Sequence, residues 1–238
     1  MFSNHAISHE ISASLRTDIL KNRYRPGDRF PSERDLATRF NASRGAVREG
    51  FSQLEQLGLI RIFAGGARVQ PIETASLAVL GPMLELGDMP DPQLVDQFLE
   101  TYCALATLTA RSAVRKASQE ELNQLHQAIV KLAKQTNDSE SIHQQWRHSL
   151  ETLGNIADNL VVRFISNDLR AQFIDHMMSL GIKPEIPRSL AAKTLKALKT
   201  SIETRDGELA SVAVRGHFDQ LRIAAANAIE ARQAEHGI

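Results

Sequence analysis

The feature that most constrains the fold is a change of texture just after Pro71. Upstream, short apolar periods are broken repeatedly by glycine and proline. Downstream, from Glu73 to the C-terminus, apolar residues recur at helical spacing, with breakers that divide the region near 87–92, 137–139, 154–155, 181–187 and 206–207. A helix buries only one stripe of its surface, so successive amphipathic helices must pack on one another. This pattern predicts about six or seven helices in a bundle. The 238 residues are enough for two ordinary domains. The expectation is a mainly α protein with a division at residues 1–72 and 73–238.

Within the first domain, Ile7, Ile11, Leu15, Ile19 and Leu20 give a first amphipathic helix, and Arg25-Pro26-Gly27-Asp28 a turn. Ser32 caps a short second helix with Glu33 and Asp35 in its first turn and Leu36, Ala37 and Phe40 on its apolar side. Asn41-Ala42 turns the chain, and Ser43 caps a third helix whose inward face is Val47, Phe51, Leu54 and Leu57. Arg44, Gly45, Arg48 and Gln53 occupy its other face. Gly58 stops it. Leu59 to Phe63 then reads as a strand, Ala64-Gly65-Gly66 as a hairpin turn, and Ala67-Arg68-Val69 as the return strand.

Helix, turn, helix and hairpin together form a winged helix-turn-helix, whose second motif helix enters the DNA major groove with its N-terminal residues at the base edges. Those residues are Ser43, Arg44, Gly45 and Ala46, with Arg48 one turn on. Arg44 offers a bidentate fork to guanine, while the small Gly45 and Ala46 allow close approach and bring the Ala46 methyl toward thymine. Arg34 is placed to clamp phosphate or reach a base. Gly65 and Gly66 form a wing tip against the backbone, with Arg68 as a neighbouring phosphate contact.

Charge agrees. The chain carries 28 Lys+Arg against 28 Asp+Glu, but up to Gln70 cations lead 11 to 7, and ten of those eleven are arginine. Arginine suits phosphate and base-edge recognition better than lysine does. No apolar run reaches the roughly 20 residues needed to span a bilayer, and residues 1–10 lack the pattern of a signal peptide. The lone Cys103 reads as a small buried hydrophobe rather than a thiol nucleophile. These features predict a cytoplasmic protein without a membrane partner.

Pro31-Ser32-Glu33-Arg34-Asp35-Leu36-Ala37, Ser43-Arg44-Gly45-Ala46-Val47-Arg48-Glu49 and Leu54-Glu55-Gln56-Leu57-Gly58-Leu59-Ile60 resemble the winged helix of GntR-family repressors in order and spacing. The resemblance implies operator contacts from Arg34, Ser43, Arg44, Gly45, Ala46, Arg48, Gly65 and Gly66. The helical remainder is similar to the effector-binding and dimerisation domain of the FadR subfamily, through Pro92 to Leu99, Arg111 to Arg115, Gly154-Asn155 and Arg215-Gly216-His217.

Many members of that subfamily hold a metal with an Asp and a His four residues apart plus two later histidines. The matching positions carry Ile142, Trp146 and Leu195, and His217 alone remains. One imidazole cannot build a zinc-type site, so neither metal nor other cofactor is expected. The apolar replacements resemble the subfamily's fatty-acid regulators, which bind acyl-CoA thioesters. That likeness implies effector contacts from Tyr102, Trp146, His217 and Ile223, although Tyr102 stands near the relative's ligand-binding arginine and Ile223 replaces an aromatic ring.

The reading is therefore a homodimeric repressor of a two-fold symmetric operator, modulated by a small molecule such as a fatty acyl-CoA. A regulator of small carboxylate or sugar-acid metabolism and a ligand-independent DNA-binding dimer stand as alternatives. An enzyme does not fit. The sequence has no strand-glycine-helix phosphate loop, no nucleophile elbow and no paired metal motif, and Glu120-Glu121, Asp138 and Glu140 sit at helix starts where the macrodipole accounts for them.

Overall fold

The computed structural model describes residues 4–87, 89–134, 139–180 and 182–236. The chain divides into two compact units, residues 1–89 and 90–238.

The first unit contains α1 (Asn4–Leu20), α2 (Glu33–Arg39), α3 (Arg44–Gln56), the strands β1 (Ile60–Phe63) and β2 (Gly66–Val69), and α4 (Leu80–Leu84). Both expected caps form: the Ser32 hydroxyl accepts the Asp35 N–H at 3.2 Å, and the Ser43 hydroxyl accepts the Ala46 N–H at 3.1 Å. Each satisfies one of the orphan donors at a helix start. The core joins Ile11, Leu15, Leu36, Val47, Leu54 and Leu59 with their neighbours. Gly50 lets α1 and α3 approach closely, because a Cβ there would lie 3.1 Å from Ile11 Cγ2 and 3.2 Å from the Ser8 carbonyl. Asp18 is nearly buried at the end of α1 and receives Arg23 at 2.7 Å and Arg39 of α2 at 3.1 Å.

The strands pair antiparallel with Ile60 opposite Val69 and Phe63 opposite Gly66, so the turn is Ala64-Gly65 and Gly66 already belongs to β2. Gly58 (φ +74°) ends α3, and a Cβ on it would sit 2.6 Å from the Thr74 carbonyl. That close approach and the Ser76 N–H donating to Leu57 O fold residues 72–84 back on this unit. Val79 joins its core. Packing therefore divides the chain at residue 89, later than the boundary at 72 expected from periodicity.

The second unit is helical: α5 (Pro92–Lys116), α6 (Gln119–Lys134), α7 (Ser139–Ala157), α8 (Leu160–Ser179), α9 (Arg188–Glu203) and α10 (Gly207–His236). Asp91 caps α5 through the Gln93 N–H at 2.9 Å, with Pro92 at the first helical position. The long helices α5 and α10 pack side by side; α9 lies against α10, α7 against α5, and α6 against α9 and α7. Their core includes Ala110, Val114, Leu125, Leu153, Leu198 and Val214. Arg222 of α10 ties to Asp96 of α5 through two hydrogen bonds of 2.6 and 2.7 Å. Among the described residues, no helix is long and apolar enough to cross a membrane.

Candidate nucleic-acid interface and effector cavity

The capped start of α3 leaves Ser43, Arg44, Gly45 and Arg48 exposed. Arg48 Nε donates to both carboxylate oxygens of Glu33 at 2.9 and 2.8 Å, and Arg44 Nη2 lies 3.7 Å from the same group. The hydrogen bond and charge of Glu33 raise the Arg48 pKa further. One carboxylate on α2 thus holds two arginines that leave α3 one turn apart. Arg34 projects with an 83% exposed side chain, its nearest ionic partner being Asp35 at 3.9 Å. Ala46 does not join this surface. It is fully buried, because the inward stripe of α3 is Ala46, Val47, Gly50, Phe51 and Leu54. Its methyl packs in the core and cannot meet a thymine. Leu57, expected inward, is only half-buried.

At the wing, Gly65 sits in the turn, whereas Gly66 (φ +116°), expected in the turn as well, opens β2. A Cβ on Gly66 would touch only the Arg29 guanidinium, at 3.4 Å or more, while Gly65 faces open space. The structure adds a feature absent from the sequence reading. Arg61 of β1 is the direct cross-strand partner of Arg68 of β2, and Arg29 forms an isolated antiparallel bridge on the other side of Arg68. Like charges directly opposite destabilise a ladder, so three adjacent exposed arginines form a row that favours a polyanion. Arg29 also donates to the Gly65 carbonyl and Arg68 to Gly27 O at 3.0 Å, which fixes the tip.

In the second unit, α5, α7, α8, α10 and residues 182–188 enclose a cavity of about 1010 Å³. Of the expected effector contacts, Tyr102, Trp146 and His217 line it together. Trp146 and His217 are buried and stacked, with centroids 3.9 Å apart at 21°. Phe98 stacks on Phe173 at 3.6 Å, and Tyr102 lies 5.7 Å from the Phe218 ring. Ile223 is elsewhere. The cavity face of α10 carries His217, Phe218, Leu221 and Ala225. Two residues past Leu221 is about 200° round the helix, and Ile223 is 58% exposed to solvent.

Leu195 is buried in the bundle core but is not part of the cavity wall. The Ile142 side chain lies outside the described residues. Among the described residues, no group of three or more metal-capable side chains comes together. Burial pushes the Cys103 thiol pKa up, as suits a packing residue.

Residues 7–69 match the family described as bacterial regulatory proteins, gntR family. Residues 97–220, just over half of the chain, match the FCD domain. The chain belongs to the GntR family, in its FCD-containing branch. The two matches fall on the two structural units, with the capped α2–α3 pair and the wing inside the first and most of the cavity wall inside the second.

An uncharacterised HTH-type transcriptional regulator of Mycobacterium tuberculosis is 30% identical over 126 residues, 52% of this chain and 50% of that one. A fatty acid metabolism regulator protein of Shewanella halifaxensis is 32% identical over 104 residues, 43% of this chain and 44% of that protein. The chain thus spans about half the length of these curated relatives. A solved structure described as Lar, which controls expression of the Listeria monocytogenes agr system, superposes with a TM-score of 0.52 at 18% identity. It covers 92% of this chain and 96% of its own. At that identity the likeness is one of fold.

Proposed function

We propose that the chain is a DNA-binding transcription regulator that acts as a cytoplasmic homodimer on a two-fold symmetric operator, as a repressor. Its operator affinity is set by a small molecule held in the helical unit, and it carries out no catalysis. The observation that carries the DNA part is the arginine constellation: Arg34, Arg44 and Arg48 on the helix-turn-helix, with the Arg29–Arg68–Arg61 row on the wing. In this reading Ser43, Arg44, Gly45 and Arg48 meet base edges or adjacent phosphates, and Gly65, Gly66 and the arginine row lie along the backbone.

The effector reading rests on the cavity. Its apolar wall, with Phe98, Trp146, Phe173 and Phe218, favours a ligand with a substantial hydrocarbon part. A long-chain fatty acyl-CoA is the leading candidate, in line with the relative named as a fatty acid metabolism regulator. Burial of each methylene gains about 0.8 kcal/mol, so affinity rises with chain length.

Selection of binding sites from a random duplex library, followed by gel shifts, tests the DNA part. A palindromic site bound by two chains is expected. No enrichment above random sequence would overturn it. Thermal shifts with acyl-CoAs of increasing length, beside lactate and gluconate, test the effector class. Rising stabilisation with length is expected, whereas stabilisation by the short acids alone would replace the lipid reading with one of small-carboxylate control.

A further inference from the structure

The two faces of the wing differ in kind. Successive residues of a strand point to opposite sides, and residues directly opposite across a ladder share a side. One side carries Ile60, Ala67 and Val69, all buried, together with Ile62. The other carries Arg61, Phe63, Gly66 and Arg68. Arg29 joins this second side, since it bridges to Arg68 and its guanidinium comes 3.4 Å from where a Cβ of Gly66 would stand.

Phe63 is therefore an aromatic ring on the solvent face of the hairpin, at the end of β1 next to the turn. It is 48% exposed. Gly66 opposite has no side chain to cover it, and the Arg61 guanidinium, 5.6 Å from the ring centroid, still leaves that half in solvent. A single exposed apolar side chain is ordinary. What sets this one apart is its company. Arg29, Arg61 and Arg68 share its face, and Arg29 and Arg68 are fixed by hydrogen bonds to the carbonyls of Gly65 and Gly27.

Such a face suits a polyanion that also offers apolar surface. Duplex DNA does both, with phosphates for the arginine row and base and sugar surfaces for the ring. A two-fold contact with a second copy through this face would set arginines against arginines, which like-charge repulsion opposes. The groove follows from the proposed function. With α3 in the major groove and the row along a phosphate backbone, the next groove across that backbone is the minor one. At about 6 Å wide it is far narrower than the groove that takes a helix, but a side chain from a hairpin tip can enter it.

We propose that Phe63 is a wedge: its ring enters the minor groove and partly unstacks one base step in each operator half-site, while the arginine row holds the flanking phosphates. Apolar side chains inserted in this way kink a duplex by about 20–90°. Pyrimidine–purine steps open most easily, so the wing selects such a step without a hydrogen bond to any base. The proposal rests on the reading of the first unit as an operator-binding winged helix, and adds the residue, the deformation and the sequence preference that follows from it.

The test uses the full chain and the operator obtained by site selection, with 2-aminopurine placed in turn at each adenine of one half-site and its flank. Wild-type protein should brighten the probe at one step, the sign of unstacking, and bend circularly permuted fragments. Phe63→Leu keeps an apolar wedge and should retain part of both effects. Phe63→Ser should abolish the brightening, reduce the bend and weaken binding about fivefold or more, the lower end of what one base–aromatic contact contributes. Replacing the opened step by a stiff A-tract should weaken the wild type and leave Phe63→Ser unchanged. No step that brightens with the wild type, or equal brightening by Phe63→Ser, would overturn the proposal. So would an affinity loss in Phe63→Ser that is the same on every sequence, because the ring would then serve only to hold Arg61. A wild type that selects no duplex defeats the operator reading itself, whereas a selected operator without an unstacked step defeats the wedge alone.

Discussion

Arg44 and Arg48 share the Glu33 carboxylate, so in the proposed function the two side chains assigned to DNA are already drawn toward one another at the start of α3. Ordering them in advance lowers the entropy lost on binding. Arg44→Ala should cost about 1–3 kcal/mol of specific affinity and relax preference at one position of each half-site. Gel shifts against operator variants read both, and unchanged base preference would remove α3 from the groove. In the second unit, the Asp96 carboxyl is held below its ordinary pKa by its hydrogen bonds from Arg222. A carboxylate with a depressed folded pKa contributes stability above its unfolded value of about 4, and loses it as pH falls through the lower folded value. The wild-type advantage over Asp96→Asn in thermal melts should therefore be present at neutral pH and shrink below about pH 4. Its size should be small, since solvent reaches both partners, the Asp96 side chain being 50% and that of Arg222 31% exposed.

At the scale of elements, the helix-turn-helix was legible because local chemistry specifies it: Ser32 and Ser43 each cap a helix, and Gly58 is required where α3 ends. What escaped was decided by tertiary geometry. Ala46 looked available because it follows the cap, yet the buried stripe of α3 is two residues wide and takes it in. Ile223 was assigned from a resemblance that carries a position but not a helix face. The wing's arginine row depends on Arg29, brought beside Arg68 from far along the chain, a pairing that no periodicity announces. Likewise, Arg163, Arg170, Lys183 and Arg188 reach the cavity wall from three places, namely α8, the segment before α9 and the start of α9.

The close α1–α3 crossing gives a further prediction. Gly50→Val should destabilise the first unit by about 1–3 kcal/mol through overpacking against Ile11 and the Ser8 carbonyl. Chemical denaturation measures it. The metal positions give another. With Ile142, Trp146 and Leu195 at three of the four subfamily ligand positions, gently purified protein should contain less than stoichiometric zinc, nickel or manganese by elemental analysis. One tightly bound ion per chain in the second unit would show that the ligands had been placed wrongly.

For the whole molecule, the proposed function couples DNA binding by the first unit to the cavity of the second through a linkage: a ligand that weakens operator binding by some factor must itself be bound more weakly, by the same factor, when operator is present. Native mass spectrometry of protein from its own host should give the mass of two chains together with any retained ligand. The most direct test of the central claim is the dissociation constant of the selected operator, measured with and without saturating long-chain acyl-CoA, beside the acyl-CoA dissociation constant with and without operator. The account predicts a loss of operator affinity of about five- to 150-fold, within the usual range of allosteric coupling, and an equal loss of ligand affinity on DNA. An operator constant that stays the same while the cavity is filled would contradict it.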